Sequence, residues 1–241
     1  MRDVARRALA EFIGSALLLM AVVGSGIAAQ RLSPGDRGLE LLENALATGA
    51  ALAAIIWCLA PVSGAHLNPA VSLVDAALGG LRGRHLPAYI AAQLGGAAAG
   101  VVVANLMFSL PAVTVSAHVR SGGGLWLSEV VATFGLLLVI FGLVRSRRPS
   151  AVPVAVGAYI TAAYFFTAST SFANPAVAVA RMLSNTFSGI SPGSVAPFIA
   201  AELGGAAIAF LAIRALHPRA NATPAAVVVL ASEGTPAEDT A

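Results

Sequence analysis

A short segment containing Asn-Pro-Ala occurs once in each half of the chain and constrains the fold more than any other feature. The first copy, residues 63–71, reads SGAHLNPAV, and the second, residues 170–177, reads TSFANPAV. Asn is a favoured helix N-cap and Pro is favoured at the first helical position, so each copy predicts a helix that begins after Asn68 or Asn174. Each helix is expected to be short, because Gly-Gly follows the first and Ser-Asn follows the second. Two such helices in an apolar chain are typical of a membrane site built from half-helices.

The composition indicates a membrane protein. Hydrophobic residues make up 58% of the 241 residues and charged residues 10%, whereas a soluble domain has about 25% charged residues. Six apolar stretches are long enough to span a lipid bilayer, which needs about 20 residues. The sequence thus predicts an all-α membrane protein with six transmembrane helices and two re-entrant half-helices. The six stretches are Ala8–Ala29, Leu41–Ala60, Leu86–Leu110, Leu125–Val144, Val152–Ala168 and Val195–Leu216.

The arginines indicate the orientation in the membrane. Most of the 14 positive residues, all of them Arg, fall on one side of the predicted spans. Positive residues are enriched in cytoplasmic loops, so we expect a multi-pass protein of the cell inner (plasma) membrane with both termini in the cytoplasm. Arginines in short loops between apolar spans do not indicate nucleic-acid binding. Residues 217–241, rich in Ala, Pro and Thr, are expected to form a disordered cytoplasmic tail.

Three sequence elements recur in the same order in the two halves of the chain. Leu-Ala-Glu ending at Glu11 recurs as Leu-Ser-Glu ending at Glu129, and IAAQLGGAA at 90–98 recurs as IAAELGGAA at 199–207, with an Asn-Pro-Ala-Val segment between them. Each half contains three spans, an odd number, so the second half crosses the membrane in the opposite sense. The Gly-Gly pairs are expected to let helices pack closely. We expect one channel domain at residues 1–216, with inverted halves at about 1–110 and 125–216.

Inverted halves bring the two helix N-termini together near the middle of the membrane. Each N-terminus carries roughly half a positive charge, so facing ends raise a barrier to cations, including protons. The side-chain amides of Asn68 and Asn174 can each donate a hydrogen bond to one permeating oxygen, which orients it and interrupts a proton wire. Backbone carbonyls would supply acceptors, since re-entrant backbone is tolerated where it lines a cavity. These carbonyls belong to His66, Leu67, Phe172 and Ala173.

With these motifs the chain resembles the aquaporin, or major intrinsic protein, family over about residues 5–216. The resemblance implies a homotetramer of separately conducting subunits. It also implies that Glu11, Glu129 and His66 support the re-entrant loops. Glu202 has Gln93 as its repeat mate, so we expect a packing or interfacial role for Glu202. The residues that carry the resemblance are the two motifs, Asn68, Pro69, Ala70 and Asn174, Pro175, Ala176, together with Glu11 and Glu129 in spans one and four.

The resemblance also places a selectivity filter, and there the chain departs from the family. Most aquaporins have Arg directly after the second Asn-Pro-Ala, where this chain has Val177. The other filter positions correspond to Thr48, Ala162 and Ser171, so the resemblance implies a wide constriction without a fixed cation. Arg181, one turn beyond Val177, is either a displaced filter Arg or an outer-mouth charge that snorkels to the interface or forms a pair. We favour the second interpretation.

Two further residues bear on the site. Asp75 lies seven residues after Asn68, as Arg181 does after Asn174. We expect that Asp75 either marks the cytoplasmic mouth or is a solvated carboxylate at the helix end. Cys58, the one Cys of the chain, lies in span two, so an internal disulfide and a Cys-rich metal site are excluded.

The leading hypothesis is a passive channel for small uncharged solutes, namely water, glycerol-like polyols and neutral metalloid hydroxides. Val after the second motif resembles a bacterial aquaporin branch associated with arsenic resistance, which implies arsenite or related arsenicals as cargo. The alternatives are a water-selective aquaporin with an unusual filter and a coupled secondary transporter, which also uses inverted repeats. A transporter needs a titrating or ion-binding group at the midplane, where the motifs offer Asn instead. No Ser/His/Asp set or metal-ligand set emerges, so we expect no enzyme activity, no metal and no cofactor.

Overall fold

The computed structural model describes residues 2–218, and the predicted tail lies outside them except for its first two residues. Every regular element in this part of the chain is helical, with six long helices and two short ones. The six long helices are apolar enough to cross a membrane, which confirms the predicted fold class. The elements are α1 (Arg2–Leu32), α2 (Arg37–Ser63), α3 (Pro69–Ala77), α4 (Leu86–Met107), α5 (Gly123–Arg145), α6 (Val152–Phe166), α7 (Pro175–Ala180) and α8 (Pro192–Leu216), with 3-10 turns at Gly83–His85, Pro149–Ala151 and Arg181–Leu183.

The long helices extend beyond most of the apolar stretches that predict them, because polar residues continue the helix outside the apolar layer. The first turns of α1 contain Asp3, which forms ion pairs with Arg6 at 3.2 Å and Arg7 at 3.0 Å. At the start of α2 the Asp36 carboxylate accepts a hydrogen bond from the backbone N–H of Leu39 at 3.0 Å. Periodic hydrophobicity alone therefore places the membrane-embedded part of a helix better than it places the helix ends.

The half-helices α3 and α7 begin at the Asn-Pro-Ala motifs, as the capping pattern predicts. Asn68 and Asn174 have extended backbones, with φ of −157° and −161°, and each side-chain oxygen accepts a hydrogen bond from the amide two residues further on. The loops that lead into the motifs share an unusual backbone, because the residues three and one before each Asn have positive φ. Such a conformation costs an L-residue roughly 1–2 kcal/mol, so other contacts must hold both loops. These residues are Ala65 (46°), Leu67 (52°), Ser171 (52°) and Ala173 (50°).

Small residues let the long helices of each half pack closely. Gly96 of α4 lies against the α1 backbone at Phe12, and Gly205 of α8 lies against the α5 backbone at Val130. Neither glycine leaves space for a Cβ atom. Each is the second member of a Gly-Gly pair, so one glycine of each pair has the packing role expected from the repeat.

Six spans return the chain to the side on which it starts, so α1 begins and α8 ends at one face, here called the terminal face. At the opposite face the connecting segments are bonded to one another. Arg31 donates to the carbonyl of Phe108 at 2.6 Å. Arg120, in the segment before α5, donates to the carbonyls of Gly189 at 2.9 Å and Phe187 at 3.2 Å. The bonds of Arg120 fix the segment that follows α7 against the segment that precedes α5, and the bond of Arg31 joins the end of α1 to the end of α4.

Candidate functional site

The two half-helices meet end to end, because each motif Asn is hydrogen bonded to the loop of the other half. Asn68 Nδ2 donates to the carbonyl of Ala173 at 2.7 Å, and Asn174 Nδ2 donates to the carbonyl of Leu67 at 2.8 Å. The side-chain oxygen of each Asn caps its own helix. A side-chain amide has two N–H donors, so each Asn keeps a second donor for a ligand. The cross-bonding therefore brings two helix N-termini and two free donors to one point.

A cavity passes this junction between helices of both halves. Both motif Asn side chains line it. The opposite wall is apolar and comes from α1, α2, α5 and α6. A few polar groups that face an apolar wall suit a small neutral molecule with hydroxyl groups. The other polar lining residues are Thr48, His66, Tyr164, Ser171 and Arg181, and the apolar ones include Leu18, Val22, Leu52, Ile56, Leu136, Ile140, Val152, Val156 and Ile160.

Glu11 of α1 is fully buried beside the first loop. Its carboxylate accepts hydrogen bonds from His66 N at 3.0 Å, Leu67 N at 2.7 Å, Ser63 Oγ at 2.6 Å and Gln93 Nε2 at 2.8 Å. A carboxylate within a membrane span is costly unless such partners compensate it. The four donors offset that cost, and two of them are the loop amides that a supporting residue would hold.

Glu129 of α5 contacts the second loop in the same way, accepting from Phe172 N at 2.9 Å and Ala173 N at 2.7 Å. Glu202 of α8 differs from its prediction, since it is fully buried and its Oε1 accepts from Asn174 N at 3.0 Å. The expectation of a packing or interfacial role for Glu202 was therefore wrong. The reason is that the amide of Asn174 is buried and needs an acceptor of its own.

Three of the four predicted filter residues line the cavity, and Ala162 does not. Thr48, Ser171 and Val177 contribute to the lining, whereas Ala162 is exposed on α6. Two positions along a helix correspond to a rotation of about 200°, so Tyr164 faces the cavity where Ala162 faces away. The Tyr164 hydroxyl donates to Thr48 Oγ1 at 3.3 Å. The prediction for Ala162 was wrong because this position lies on the face of α6 that points away from the cavity. The hydroxyl of Tyr164 lines the cavity instead.

Arg181 is buried and lines the cavity, so the expectation that it snorkels to the interface was wrong. It is 2% exposed, and its guanidinium carbon lies 3.6 Å from the centroid of the Phe172 ring. Its Nε donates to the carbonyl of Ser188. The aromatic face and the carbonyl replace the water that a snorkelling Arg would find. The cavity therefore has a cation one turn beyond Val177, although the position directly after the motif lacks one.

Asp75 of α3 is neither solvated nor at a mouth of the cavity. It is 3% exposed, and its Oδ2 lies 3.3 Å from Nε2 of His66. The other ring nitrogen of His66 lies 3.0 Å from Ser72 Oγ. Both expectations for Asp75 were wrong, because the loop provides a buried partner for the carboxylate. The His66 ring, which lines the cavity, is thus held from both of its nitrogens by α3.

Two aromatic residues of the site were missed by the sequence reasoning. Tyr164 is the fourth member of a cavity-lining series on α6, Val152, Val156, Ile160 and Tyr164, whose spacing of four residues was available in the sequence. From the sequence, Phe172 is expected to contribute only its backbone carbonyl. Its ring contacts the guanidinium of Arg181 and also lies 5.2 Å from the guanidinium carbon of Arg120. Arg120 lies 52 positions before Phe172, and Arg181 lies nine positions after it. No local pattern in the sequence predicts contacts at these separations.

Comparisons with known proteins identify relatives of the chain. The family described as Major intrinsic protein matches residues 1–171. The chain is 54% identical over 212 residues to aquaglyceroporin AqpS of Rhizobium meliloti (strain 1021), a match that covers 88% of this chain and 90% of that protein. It is 34% identical over 171 residues to aquaporin AqpM of Methanothermobacter marburgensis, covering 61% of this chain and 69% of that protein. It is 40% identical over 101 residues to the glycerol uptake facilitator protein of Pseudomonas aeruginosa, covering 42% of this chain and 35% of that protein.

A solved structure with the same fold is the X-ray structure of the aquaglyceroporin from Plasmodium falciparum. It matches with a TM-score of 0.67 and 23% sequence identity, covering 89% of this chain and 98% of that chain. At this identity the likeness concerns the fold. The arrangement of six membrane helices and two half-helices is therefore one that has been observed experimentally.

Proposed function

The chain belongs to the major intrinsic protein family, and we propose that it is a passive transmembrane channel for water, glycerol-like polyols and neutral arsenicals such as arsenite. One observation carries the proposal: the amides of both motifs and an apolar wall line the same cavity. Hydroxyl groups of a solute bond to the polar side while its carbon or metalloid framework contacts the apolar side. The names of two relatives, aquaglyceroporin and glycerol uptake facilitator, favour a polyol as one of the solutes.

The charges near the cavity favour uncharged solutes. The N-termini of α3 and α7 meet at the junction, and each contributes partial positive charge. Arg181 adds a full positive charge on the side of the opposite face. The carboxylates of Glu11 and Glu129 are occupied by loop amides and do not line the cavity. A cation that enters therefore meets positive charge without a facing carboxylate.

We propose that Thr48, Tyr164, Ser171 and Val177 form the constriction, with Arg181 as a displaced cation further out. Val177 gives more width than an Arg at its position would leave. The Ser171 hydroxyl is buried and has no partner among residues 2–218, so it can bond a solute. Thr48 and the loop carbonyls supply further hydrogen-bonding groups for a solute with several hydroxyls.

A water-selective channel is the second candidate, and Tyr164 is the observation that favours it. An aromatic ring beside Thr48 narrows the cavity more than the two small residues expected from the sequence. The ratio of glycerol flux to water flux separates the two candidates. A coupled transporter would need a titrating group that is free on the solute path. The carboxyl groups of Glu11, Glu129 and Glu202 do not line the cavity, and both ring nitrogens of His66, which does, are engaged with Ser72 and Asp75.

We further propose a homotetramer in the inner membrane, with both termini in the cytoplasm. The excess of arginines at the terminal face supports this orientation. The long helices expose large apolar side chains, including Trp57, Leu127 and Leu211, which suit contact with lipid or with a neighbouring copy. Within each subunit, Glu11, Glu129 and His66 are proposed to support the re-entrant loops.

The test is a flux panel in proteoliposomes for water, glycerol and arsenite, corrected for the amount of folded protein. Val177→Arg should narrow the constriction, so glycerol and arsenite fluxes should fall more than water flux. Val177→Leu is the matched control, since it adds volume without charge and should have the smaller effect. Each measurement is repeated with and without an ion gradient.

Each outcome of the panel has a defined meaning. Fluxes equal to those of protein-free liposomes would overturn the channel, and water flux alone would support the water-selective candidate. A glycerol-to-water ratio that stays the same or rises in Val177→Arg would remove Val177 from the constriction. Flux driven by an ion gradient would indicate coupled transport.

A further inference from the structure

Two carboxyl groups lie side by side beneath the second loop, and neither reaches solvent. Glu129 and Glu202 are both 0% exposed, and they belong to α5 and α8, two helices that pack against each other. The loop amides of Phe172 and Ala173 donate to Glu129, and the amide of Asn174 donates to Oε1 of Glu202. Oε2 of Glu202 has no partner among the described residues. Because a carboxylate only accepts, an ionised pair would hold two negative charges in contact and leave this oxygen without a donor.

The first half of the chain has a neutral donor in the corresponding place. Gln93 of α4 is the repeat mate of Glu202, and its Nε2 donates to Oε2 of Glu11 at 2.8 Å. A glutamine side chain always carries such a donor, whereas a glutamic acid side chain carries one only when it is protonated. The repeat therefore places a donor next to each loop-contacting glutamate only if Glu202 holds a proton.

The charged groups that face Glu202 come from two elements. Glu129 of α5 binds the two loop amides next to the one that Glu202 binds, and Arg181, after α7, is the positive group that lies against the same loop. Arg181 is already engaged with the ring of Phe172 and the carbonyl of Ser188. The half-helix α3, which also packs against α8, presents apolar side chains there, Leu73 and Val74 among them. Glu129 is thus the group to which a proton on Glu202 can be donated.

We propose that Glu202 is protonated in the native protein and donates a hydrogen bond to Glu129, so that a neutral carboxylic acid positions Asn174 and the second loop. Glu202 is then a positioning residue, because Oε1 holds the amide of Asn174 while the protonated Oε2 is bonded to Glu129. Loss of this proton at alkaline pH would place two negative charges together and loosen the loop. Water permeability should therefore decline at alkaline pH.

Infrared difference spectroscopy of the full chain in lipid vesicles tests the proposal without measuring flux. A protonated carboxylic acid has a C=O stretching band that is separate from the carboxylate bands and shifts in D2O. We expect this band at neutral pH in the wild type, its loss on alkaline titration and its loss in Glu202→Gln. Gln93→Glu is the matched variant of the other half, and it should add a second carboxylic acid band beside Glu11.

The water permeability of Glu202 variants tests whether Glu202 positions the second loop. Glu202→Leu removes the acceptor for Asn174 and the donor to Glu129, so water permeability should fall. Glu202→Gln restores both groups, so it should rescue permeability and abolish the alkaline decline. The absence of an acid band from the wild type at neutral pH would overturn the proposal whether or not the variants fold. An acid band that persists unchanged in folded Glu202→Gln would overturn it as well, and both results leave the proposed solutes unaffected.

Discussion

The two inverted halves share one backbone arrangement at the site but surround it with different chemistry. In the first half, Glu11 accepts from a neutral glutamine, and Asp75 is paired with His66. In the second half, Glu129 lies beside another glutamic acid, and Arg181 lies on an aromatic ring. The capping Asn, the positive-φ residues and the loop-contacting glutamate are common to both halves. The repeated backbone thus sets where the junction lies, and the side chains that differ set the charge on either side of it.

Asp75 and Arg181 make the difference between the halves most visible. Both lie seven residues after their motif Asn, and both are buried. Asp75 is directed to His66 and does not line the cavity, whereas Arg181 does. Arg181 therefore gives the cavity a positive charge in the half away from the terminal face. Asp75, at the equivalent position, gives the cavity no negative charge in the half near the terminal face.

Replacing the loop-contacting glutamates should have the largest effects, and the effects should be unequal. Each oxygen of Glu11 accepts from two donors, so Glu11→Gln leaves two donors facing an amide NH2 group. Glu129 accepts from one loop amide at each oxygen, so Glu129→Gln leaves one loop amide facing an NH2 group. The proposed hydrogen bond with Glu202 need not be lost, because Glu202 can release its proton and accept from that NH2 group. A buried donor left unpaired costs about 1–3 kcal/mol, so we expect Glu11→Gln to lower thermal stability and folded yield more than Glu129→Gln. Equal losses in detergent-solubilised protein would contradict the unequal support of the two loops.

Cysteines introduced at equivalent positions should block the cavity from opposite sides. Ala65 and Ser171 each lie three residues before a motif Asn, and both line the cavity. Mercury should inhibit most of the water permeability of Ala65→Cys and of Ser171→Cys, and a thiol should reverse it. The wild type should be inhibited poorly, because Cys58 is exposed on α2 and is not part of the lining.

A thiol reagent that does not cross the membrane shows from which face each introduced cysteine can be reached. It should reach Ser171→Cys from the opposite face and Ala65→Cys from the terminal face. Cys58→Ser in each background is the control for the native thiol. Reaction of both variants from the same side would show that the two loops do not enter from opposite faces, and strong inhibition of the wild type would place Cys58 on the solute path.

Charge placed at the junction should weaken cation exclusion more in the first half than in the second. Asn68→Asp and Asn174→Asp each put a carboxylate at a positive helix end and remove one cross-bond. Arg181 lies on the same half-helix segment as Asn174, so it should partly compensate the second substitution. We expect cation and proton conductance to rise most in the double variant, less in Asn68→Asp and least in Asn174→Asp. Asn68→Ala and Asn174→Ala control for the loss of the side-chain amide without added charge. A folded double Asp variant whose cation and proton conductance equals that of the wild type would contradict the role of the asparagines.

The sequence predicts the backbone arrangement well because each part is marked by neighbouring residues. Asn followed by Pro marks the start of α3 and α7, apolar runs mark the six spans, and the repeated Glu in spans one and four marks residues that do contact the loops. None of these inferences needs the three-dimensional partner of a side chain. They rest on capping, hydrophobicity and the odd number of spans in each half, except that the role of the two glutamates was implied by the resemblance to the family.

The side-chain partners at the site could not be predicted in the same way. Glu202 bonds an amide 28 positions earlier, and Arg181 lies on the ring of Phe172. Without these partners in view, the sequence favoured a packing or interfacial role for Glu202 and snorkelling or pairing for Arg181. Ala162 was placed by counting back from Asn174 through a loop, and a count cannot give the helical phase at which α6 ends. The spacing of four residues that leads to Tyr164 gives that phase correctly.

The smallest expected effect concerns the equivalent pair Arg181 and Asp75. Arg181→Gln removes the cation from the cavity lining but keeps a donor for the carbonyl of Ser188. Cation conductance should rise by less than tenfold, a factor that corresponds to about 1.4 kcal/mol, because the two helix N-termini still oppose cations at the junction. Asp75→Asn should leave cation conductance unchanged, since its carboxylate faces His66, although stability should fall as that contact weakens. Conductance of both variants is measured in proteoliposomes at equal amounts of folded protein. A rise in Asp75→Asn equal to that in Arg181→Gln would mean that the charges of the two half-helices act alike, and the asymmetry between the halves would then have no role in cation exclusion.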